Sequence, residues 1–441
     1  MFSKTDLRKL IVPLIVEQVL AMTIGMADTI MVSSCGEVAV SGVSLVDTIN
    51  ILLINIFAAL ATGGAVVASQ YLGNKDHQKA NEAAKQLVYV TAILAVLIAT
   101  ICLVFHKPLL ALVFGKIDTE VMNNAQIYFM VSAVSYPFIS LYNGGAALFR
   151  AMGSSKISMY NSIIMNLINI VGNAILIYIF NWGIFGAAFA TLVSRIIGSM
   201  TMLYMLRKPS LLISVRSYLH FKLDFKMIKT ILQIGIPTGL ENGMFQIGKI
   251  LVAGIVTGFG TASIAANAVA NNIAGLEIIP GAAMGLAMVT VVGQCVGAND
   301  YKAADHYIKY LMKLTYIFMF GLDILILLGA RPLLGLYALS GETMDIAYQL
   351  LFWHTVFAIT VWPLAFTLPN AFRAANDAKF TMIVSIFSMW AFRICLCLIF
   401  AKYTDLGVLG VWLGMFADWI FRMILFVWRQ VSGTWKNKQL I

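Results

Sequence analysis

The feature that most constrains this chain is a succession of apolar runs, each about twenty residues or longer, separated by short polar breaks. A helix needs roughly 20 mainly apolar residues to cross the hydrocarbon core of a bilayer. On that rule the sequence predicts about twelve spans. Those of the first half lie near 10–33, 46–72, 84–105, 122–148, 157–181 and 184–206. Those of the second lie near 232–256, 269–297, 307–329, 346–370, 380–401 and 407–429. Composition agrees: 60% of residues are hydrophobic, 11% are charged, and the mean hydropathy is +0.87. Soluble domains run near ~45–50% apolar and ~25% charged. A chain this apolar has no means of covering its surface in water, so the bilayer is its expected solvent.

The net charge of +10 raises the question of nucleic acid, and the positions of the basic residues answer it. They cluster in short breaks such as Lys75 to Lys85 and Arg207 to Lys229, with no basic face interleaved with aromatics. The breaks also alternate in kind. With the termini included, one side of the membrane receives about 22 Lys and Arg; the other receives about 4, namely Lys107, Lys116, Arg331 and Lys402. Basic residues are retained on the cytoplasmic side, so both termini are expected there, in a multi-pass protein of the cytoplasmic membrane. The first apolar run continues past Glu17 to about Val32 with no small-residue cleavage site, which predicts a retained span and not a cleaved leader.

No enzyme chemistry announces itself. The five cysteines (Cys35, Cys102, Cys295, Cys395, Cys397) are scattered, match no zinc spacing, and read as small buried hydrophobes. There is no HExxH, GxSxG or phosphate-cradling motif. The Met and Phe content reads as ordinary membrane-helix composition more readily than as a drug-binding surface.

Sliding the second half over the first exposes a repeat with a shift of about 224 residues. Pro13 falls on Pro237, Glu17 on Glu241, Gly36 on Gly260, Gln70 on Gln294 and Gly73 on Gly297. The loop SQYLGNKDHQKA matches GQCVGANDYKAA, and LFRAMGSSK (148–156) matches AFRAANDAK (371–379). Each half holds an even number of spans, so both enter the membrane in the same orientation. The expected fold is therefore an all-α integral membrane protein of two parallel six-helix lobes, related by a pseudo-two-fold axis along the membrane normal. The lobes are expected at 1–206 and 230–430, joined by a cytoplasmic linker at 207–229 and followed by a cytoplasmic tail at 431–441. The linker stretch SVRSYLHFKLDF alternates in polarity and suits an interfacial position. Two such lobes enclose a central pathway, and rocking them gives alternating access.

Ionisable groups inside spans cost at least ~2.5–3.5 kcal/mol on insertion scales, so each asks for a reason. Asp28 lies among apolar residues in GMADTIMV, fifteen residues after Pro13, whose ring and missing N–H can bend the first helix. A carboxylate there suits a coupling role, taking up H⁺ or holding Na⁺; otherwise it is a structural partner of span five or a helix-end group. Span five carries Asn166, Asn169 and Asn173, of which Asn169 and Asn173 share a helix face. Their amides either hold Asp28 and complete a Na⁺ shell or act as interhelical glue. Glu17 and Glu241 occupy matching places, and Lys249 follows Glu241 on roughly the same face. Lys249 reads as a neutralising partner of Glu241 or as a fixed positive charge. Tyr136, Asn143, Gln246 and Glu277 complete the pathway candidates with Glu17, Glu241 and Lys249. Arg195, Arg393, Asp418 and Arg422 read as snorkelling or paired structural charges.

With these strings in view, the chain resembles the multidrug and toxic compound extrusion (MATE) family, of bacterial type. The likeness rests on PLIVEQVLAMTIGMADTIMVSSCGEVAVSGVSL (13–45), SQYLGN, LFRAMGSSK, FGAAFATLVSR (185–195) and GIPTGL (235–240), and covers nearly the whole chain. It implies two six-helix lobes and export of organic, often cationic or amphipathic, compounds in exchange for Na⁺ or H⁺. It also implies that Asp28 is a coupling carboxylate, that Pro13 bends its helix, and that Asn169 and Asn173 are the paired amides of span five. The sequence departs from the family where many members carry a span-seven Glu: that position is Phe245, and Glu241 stands one turn earlier. The second span-five acid of some members is also absent, with Asn173 nearby. A coupling site centred on Asp28 is therefore expected.

Three other readings fit the sequence less well. A lipid-linked sugar flippase would line its cavity with several Arg or Lys, where Lys249 is the main candidate. A membrane-embedded transferase or hydrolase would cluster His, Asp or Ser at one membrane face. A major-facilitator carrier would show its basic loop motif, which GNKDHQKANEAAK does not contain. The expected partners are small organic substrates and the lipid bilayer, with no nucleic acid. No cofactor beyond the coupling ion is expected, and one chain supplies a complete pathway as a monomer.

Overall fold

The computed structural model describes residues 2–115, 117–218, 222–337 and 339–438, and among them the backbone is helix and turn with no strand. Lys116, part of the alternating linker stretch and the last residues of the tail lie outside the described residues. Hydrocarbon offers a backbone N–H or C=O no partner, so a span must close its own hydrogen bonds, which a helix does.

Every expected span meets a helix. In the first half these are α1 (Lys4–Ser33), α2 (Glu37–Gly73), α3 (His77–Val104), the short α4 (His106–Phe114), α5 (Thr119–Ala151), α6 (Lys156–Asn173) and α7 (Gly183–Met205). Helix α6 runs on through a π-helical turn at Ala174–Ile179. In the second half they are α8 (Phe225–Val256), α9 (Thr261–Glu277), α10 (Ile279–Gly297), α11 (Tyr301–Leu328), α12 (Ala330–Gly335), α13 (Gly341–Thr360), α14 (Pro369–Ala374), α15 (Ala378–Ser388), α16 (Cys395–Tyr403) and α17 (Gly407–Ser432).

The helices outrun the apolar text. Helix α2 begins at Glu37, nine residues before the run that predicts it, because Gly36 turns the chain at φ 101° and a helix can start at once. The span expected at 269–297 is broken at Ile278, just before Pro280. The span expected at 346–370 bends by 60° between Gly341–Thr360 and Pro363–Ala374. Prolines 363 and 369 cannot donate to the helix ladder there. Ten described helices are long and apolar enough to cross a membrane, or eleven with this bent pair. Helix α5 is not among them: Asn123, Asn124, Gln126, Tyr136 and Asn143 dilute its apolar content.

The described chain divides into two compact units, Phe2–Gly239 and Leu240–Ile441, with the division inside α8. In the first, Phe57, Phe129 and Tyr136 are buried in a core built by α2, α3 and α5. In the second, Trp412, Phe416 and Trp419 of α17 pack with Trp362 and Ala358. Close approach within the first unit depends on Gly63 of α2. A Cβ there would lie 2.5 Å from the carbonyl oxygen of Ile231, at the start of α8. The linker is held to α3: the Gln86 side chain donates to Lys222 O at 2.8 Å and accepts from Asp224 N at 3.1 Å, and Tyr89 donates to Tyr218 O at 3.1 Å.

The repeat persists in backbone and side-chain detail. Left-handed residues recur at matching places: Lys75 (φ 59°) with Asn299 (56°), Gly153 (81°) with Asn376 (70°), and Gly183 (53°) with Gly407 (55°). Asp76 and Asp300 each cap a following helix, at 3.0 and 2.9 Å. Each half also carries the same buried clamp. Glu17 meets Arg150 at 3.4 Å and accepts from Ser158 at 2.8 Å. Glu241 meets Arg373 at 2.8 Å and accepts from Ser385 at 2.6 Å and Thr381 at 3.3 Å. The first clamp ties α1 to α5 and α6; the second ties α8 to α14 and α15.

Candidate functional site

In the first unit a polar cluster forms where α1, α2, α5, α6 and α7 meet. Asp28, near the end of α1, accepts a hydrogen bond from Asn173 Nδ2 at 2.6 Å. The same nitrogen stands 3.4 Å from Asn169 Oδ1, one turn earlier on α6. Asn169 in turn donates to the Thr191 hydroxyl of α7 at 2.9 Å. Both asparagines are fully buried, and Asn173 Oδ1 has no hydrogen-bond partner among the described residues. The helical spacing of four puts both amides on one face, and that face meets Asp28. Pro13 is buried within α1 and offers no N–H to the preceding turn.

The cluster extends beyond the residues expected from sequence. Asp47 of α2 accepts from Asn50 Nδ2 at 3.1 Å and has the Tyr128 hydroxyl in reach. Asn50 also stands 3.4 Å from Ser132 and accepts from the Tyr136 hydroxyl at 2.8 Å. Arg195 of α7 donates to Ser135 at 2.6 Å, and its charge acts on both Asp28 and Asp47. Arg195 therefore belongs to this site, where sequence reading made it peripheral. Asp47 was missed, although its place inside the apolar run VSLVDTINILL is the same signal that singled out Asp28. Two carboxylates and one guanidinium leave one negative charge. One monovalent cation would balance it, and Asp28 and the Asn173 oxygen without a hydrogen-bond partner among the described residues are hard oxygen donors. Among the described residues no group of three or more His, Cys, Asp or Glu converges on a metal ion.

The remaining candidates disperse. Tyr136 is buried and serves Asn50. Asn143 is half-buried, and its Nδ2 has no partner among the described residues. Glu17 and Glu241 are the acids of the two clamps. Lys249 is exposed and does not neutralise Glu241, whose carboxylate is taken by Arg373. The reason is distance: eight residues along a helix are about 12 Å, beyond the reach of one side chain to its own helix's second turn. Gln246 is half-buried on the same helix. Glu277 is fully buried and bonded to His354 and Thr355.

Phe245, the position where the resemblance implies a span-seven Glu, lies near two guanidiniums. Arg393 lies 5.1 Å and Arg422 5.6 Å from its ring centre. Both arginines share Asp418, at 3.2 and 2.7 Å, which leaves a positive charge at this place. A cation is disfavoured there.

Comparison with known proteins accords with this architecture. The sequence profile of the MatE family matches residues 13–175 and again 237–399, the two halves of the repeat. A probable multidrug resistance protein, YoeA of Bacillus subtilis (strain 168), is 27% identical over 413 residues, covering 92% of this chain and 88% of that one. A probable multidrug resistance protein, NorM of Thermotoga maritima, is 25% identical over 451 residues, covering 99% and 94%. The fold matches the outward-facing conformation of a multidrug resistance MATE family transporter of the MOP superfamily. That match has a TM-score of 0.91 at 23% identity, over 98% of this chain and 96% of that one.

Proposed function

The chain belongs to the MatE family of membrane transporters, and from that premise we propose that it is a secondary antiporter driven by Na⁺ or H⁺. It exports organic compounds, cationic or amphipathic, of the kind that the names of its relatives imply. The observation that carries the coupling role is the 2.6 Å contact between Asp28 and Asn173, inside a cluster with one uncompensated negative charge. Asp28 receives the coupling ion; Asn173 and Asn169 fix the carboxylate, and Thr191 fixes Asn169. Arg195 offsets the second acid, Asp47, so that the site accepts one monovalent charge. Release of substrate outward and uptake of the ion then alternate, each binding only when the other has left. The surplus of basic residues in alternate loops supports cytoplasmic termini. One chain acting as a monomer suffices, because both halves of the repeat lie on it.

The test is ethidium efflux from membrane vesicles under separately imposed Na⁺ and proton gradients, with Asp28→Asn alongside. Efflux driven by one gradient and reduced at least tenfold in the variant supports antiport and identifies the ion. Absence of efflux under both gradients removes the drug-export reading, and intact efflux in Asp28→Asn removes the coupling assignment.

A further inference from the structure

In the first unit, on the side that carries the basic loops, a cleft of about 1230 Å³ opens between the start of α3 and the linker. Four cationic side chains line it: Lys85 of α3, Arg216 and Lys222 of the linker, and Lys226 in the first turn of α8. Arg216, Lys222 and Lys226 are exposed; Lys85 is half-buried, with its ammonium 5.7 Å from the centre of the Tyr89 ring. Among the described residues no ion pair joins any of the four to a carboxylate. Two acids share the lining, Glu82 and Asp224. Asp224 Oδ1 is already taken by the backbone N–H groups of Lys226 and Met227, which it caps at 2.9 and 3.1 Å. The cleft is left with two positive charges in excess.

Hydrogen bonds tie the walls together. Besides the Gln86 bonds to the linker, Asn81 Oδ1 accepts from Ser214 N at 2.7 Å, and His77 Nδ1 stands 3.4 Å from Leu212 O. The Ser214 hydroxyl has no hydrogen-bond partner among the described residues, which leaves an unused donor in the lining. Depth in the bilayer follows from the spans. The apolar runs of α3 and α8 begin near residues 84 and 232. Lys85 therefore stands at the threshold of the hydrocarbon, and Lys226 six residues, or about 9 Å of helix, before it. The head-group layer occupies roughly that zone, about 5–8 Å on each side. Leu212 and Phe225 belong to the same lining and are 53% and 76% exposed. Cations at head-group depth with bare apolar side chains beside them complement a molecule that is anionic at one end and apolar at the other.

We propose that this cleft binds the head group of an anionic phospholipid of the cytoplasmic leaflet, its phosphate meeting Arg216, Lys222 and Lys226 while its acyl chains lie along Leu212 and Phe225. A bound lipid would then join the linker to the ends of α3 and α8. A free phosphate could use the same cations but would gain nothing from Leu212 and Phe225. The placement in the cytoplasmic leaflet rests on the loop charges that put this side in the cytoplasm; the site does not rest on the antiport reading.

The test is native mass spectrometry of the full chain, delipidated in detergent and titrated separately with phosphatidylglycerol, phosphatidylcholine and glycerol phosphate. One phosphatidylglycerol should be retained about tenfold more tightly than phosphatidylcholine, and glycerol phosphate should bind at least tenfold more weakly than the lipid. Arg216→Gln/Lys222→Gln/Lys226→Gln should reduce the preference for phosphatidylglycerol about tenfold. Lys302→Gln/Lys309→Gln/Lys313→Gln, which removes the same charge from α11, should keep it. Leu212→Ser/Phe225→Ser should weaken the lipid and leave glycerol phosphate unchanged. Equal retention of the two lipids by the wild-type protein, which needs no variant to fold, overturns the proposal. So does an equal loss in both charge variants, which would mark a diffuse attraction to basic loops, or glycerol phosphate bound as tightly as the lipid, which would mark a site for a soluble phosphate. Because the measurement involves no transport, failed vesicle efflux beside specific lipid retention removes the antiport reading and leaves the lipid site standing.

Discussion

The two clamps are the same device at different strengths, and a paired truncation measures the difference. Glu241 lies 2.8 Å from its arginine and takes two hydroxyl bonds; Glu17 lies 3.4 Å from its arginine and takes one. At an effective dielectric of about 20, the gross attraction is ~6 kcal/mol for the closer pair and ~5 kcal/mol for the other. The extra hydroxyl bond to a charged group adds roughly 1.5 kcal/mol. Removing one partner of a buried pair strands the other, at about 3–5 kcal/mol in all. Glu241→Ala should therefore sit at or above the top of that range and cost ~2 kcal/mol more than Glu17→Ala. The assay is thermal unfolding in a mild detergent, followed by loss of the monodisperse peak. The midpoint should fall by a few degrees more for Glu241→Ala than for Glu17→Ala. A companion Glu241→Met/Arg373→Met variant, which removes both charges, should recover most of the loss. Equal losses for the two single variants, or no recovery in the double, would refute the view that these acids are structural ties.

Other outcomes follow from separate features. Gly63→Val drives a side chain against the Ile231 carbonyl and should destabilise by about 1–3 kcal/mol, read in the same unfolding assay; an unchanged midpoint contradicts the close approach. Asp418→Asn leaves two buried guanidiniums facing each other, so yield of folded protein should drop sharply, with Asp418→Asn/Arg393→Met partly restored; expression and gel filtration decide it. Asn173→Ala removes the amide that holds Asp28 and should lower ion-driven efflux about tenfold with little change in stability. Loss of folding in place of efflux would make Asn173 interhelical glue.

Much of this fold is legible in the letters because a membrane imposes a length rule. Each apolar run of about twenty residues is helical, though two are broken or bent, and the 224-residue repeat reappears in caps, left-handed turns and clamps. The pairing of Asp28 with Asn173 was readable too, since a polar residue in a span needs a partner and few are on offer. Contacts whose partners carry no charge inside a span, or whose charge lies near a span end, were not. Tyr136 meets Asn50 across 86 positions and Arg195 meets Ser135 across 60, and nothing local announces either. Lys249 misled because sharing a helix face does not imply contact two turns away. The break at Ile278 and the bend after Thr360 sit at prolines inside runs that stay apolar throughout, so hydropathy alone passes over them.

The glycine contact in α2 also bears on how the chain is made. Gly63 rests on Ile231 and Gly235, which are roughly 170 residues further along and reach the ribosome's exit on the order of ten to thirty seconds later at ~5–20 residues per second. For that interval α2 presents a side-chain-free stripe with nothing to lie against it. The first half of this transporter therefore cannot finish packing until the second has begun to enter the membrane. An expression strategy that delivers residues 1–218 as a separate polypeptide would leave that stripe bare to lipid, whereas one cut after residue 239 would carry its own cover.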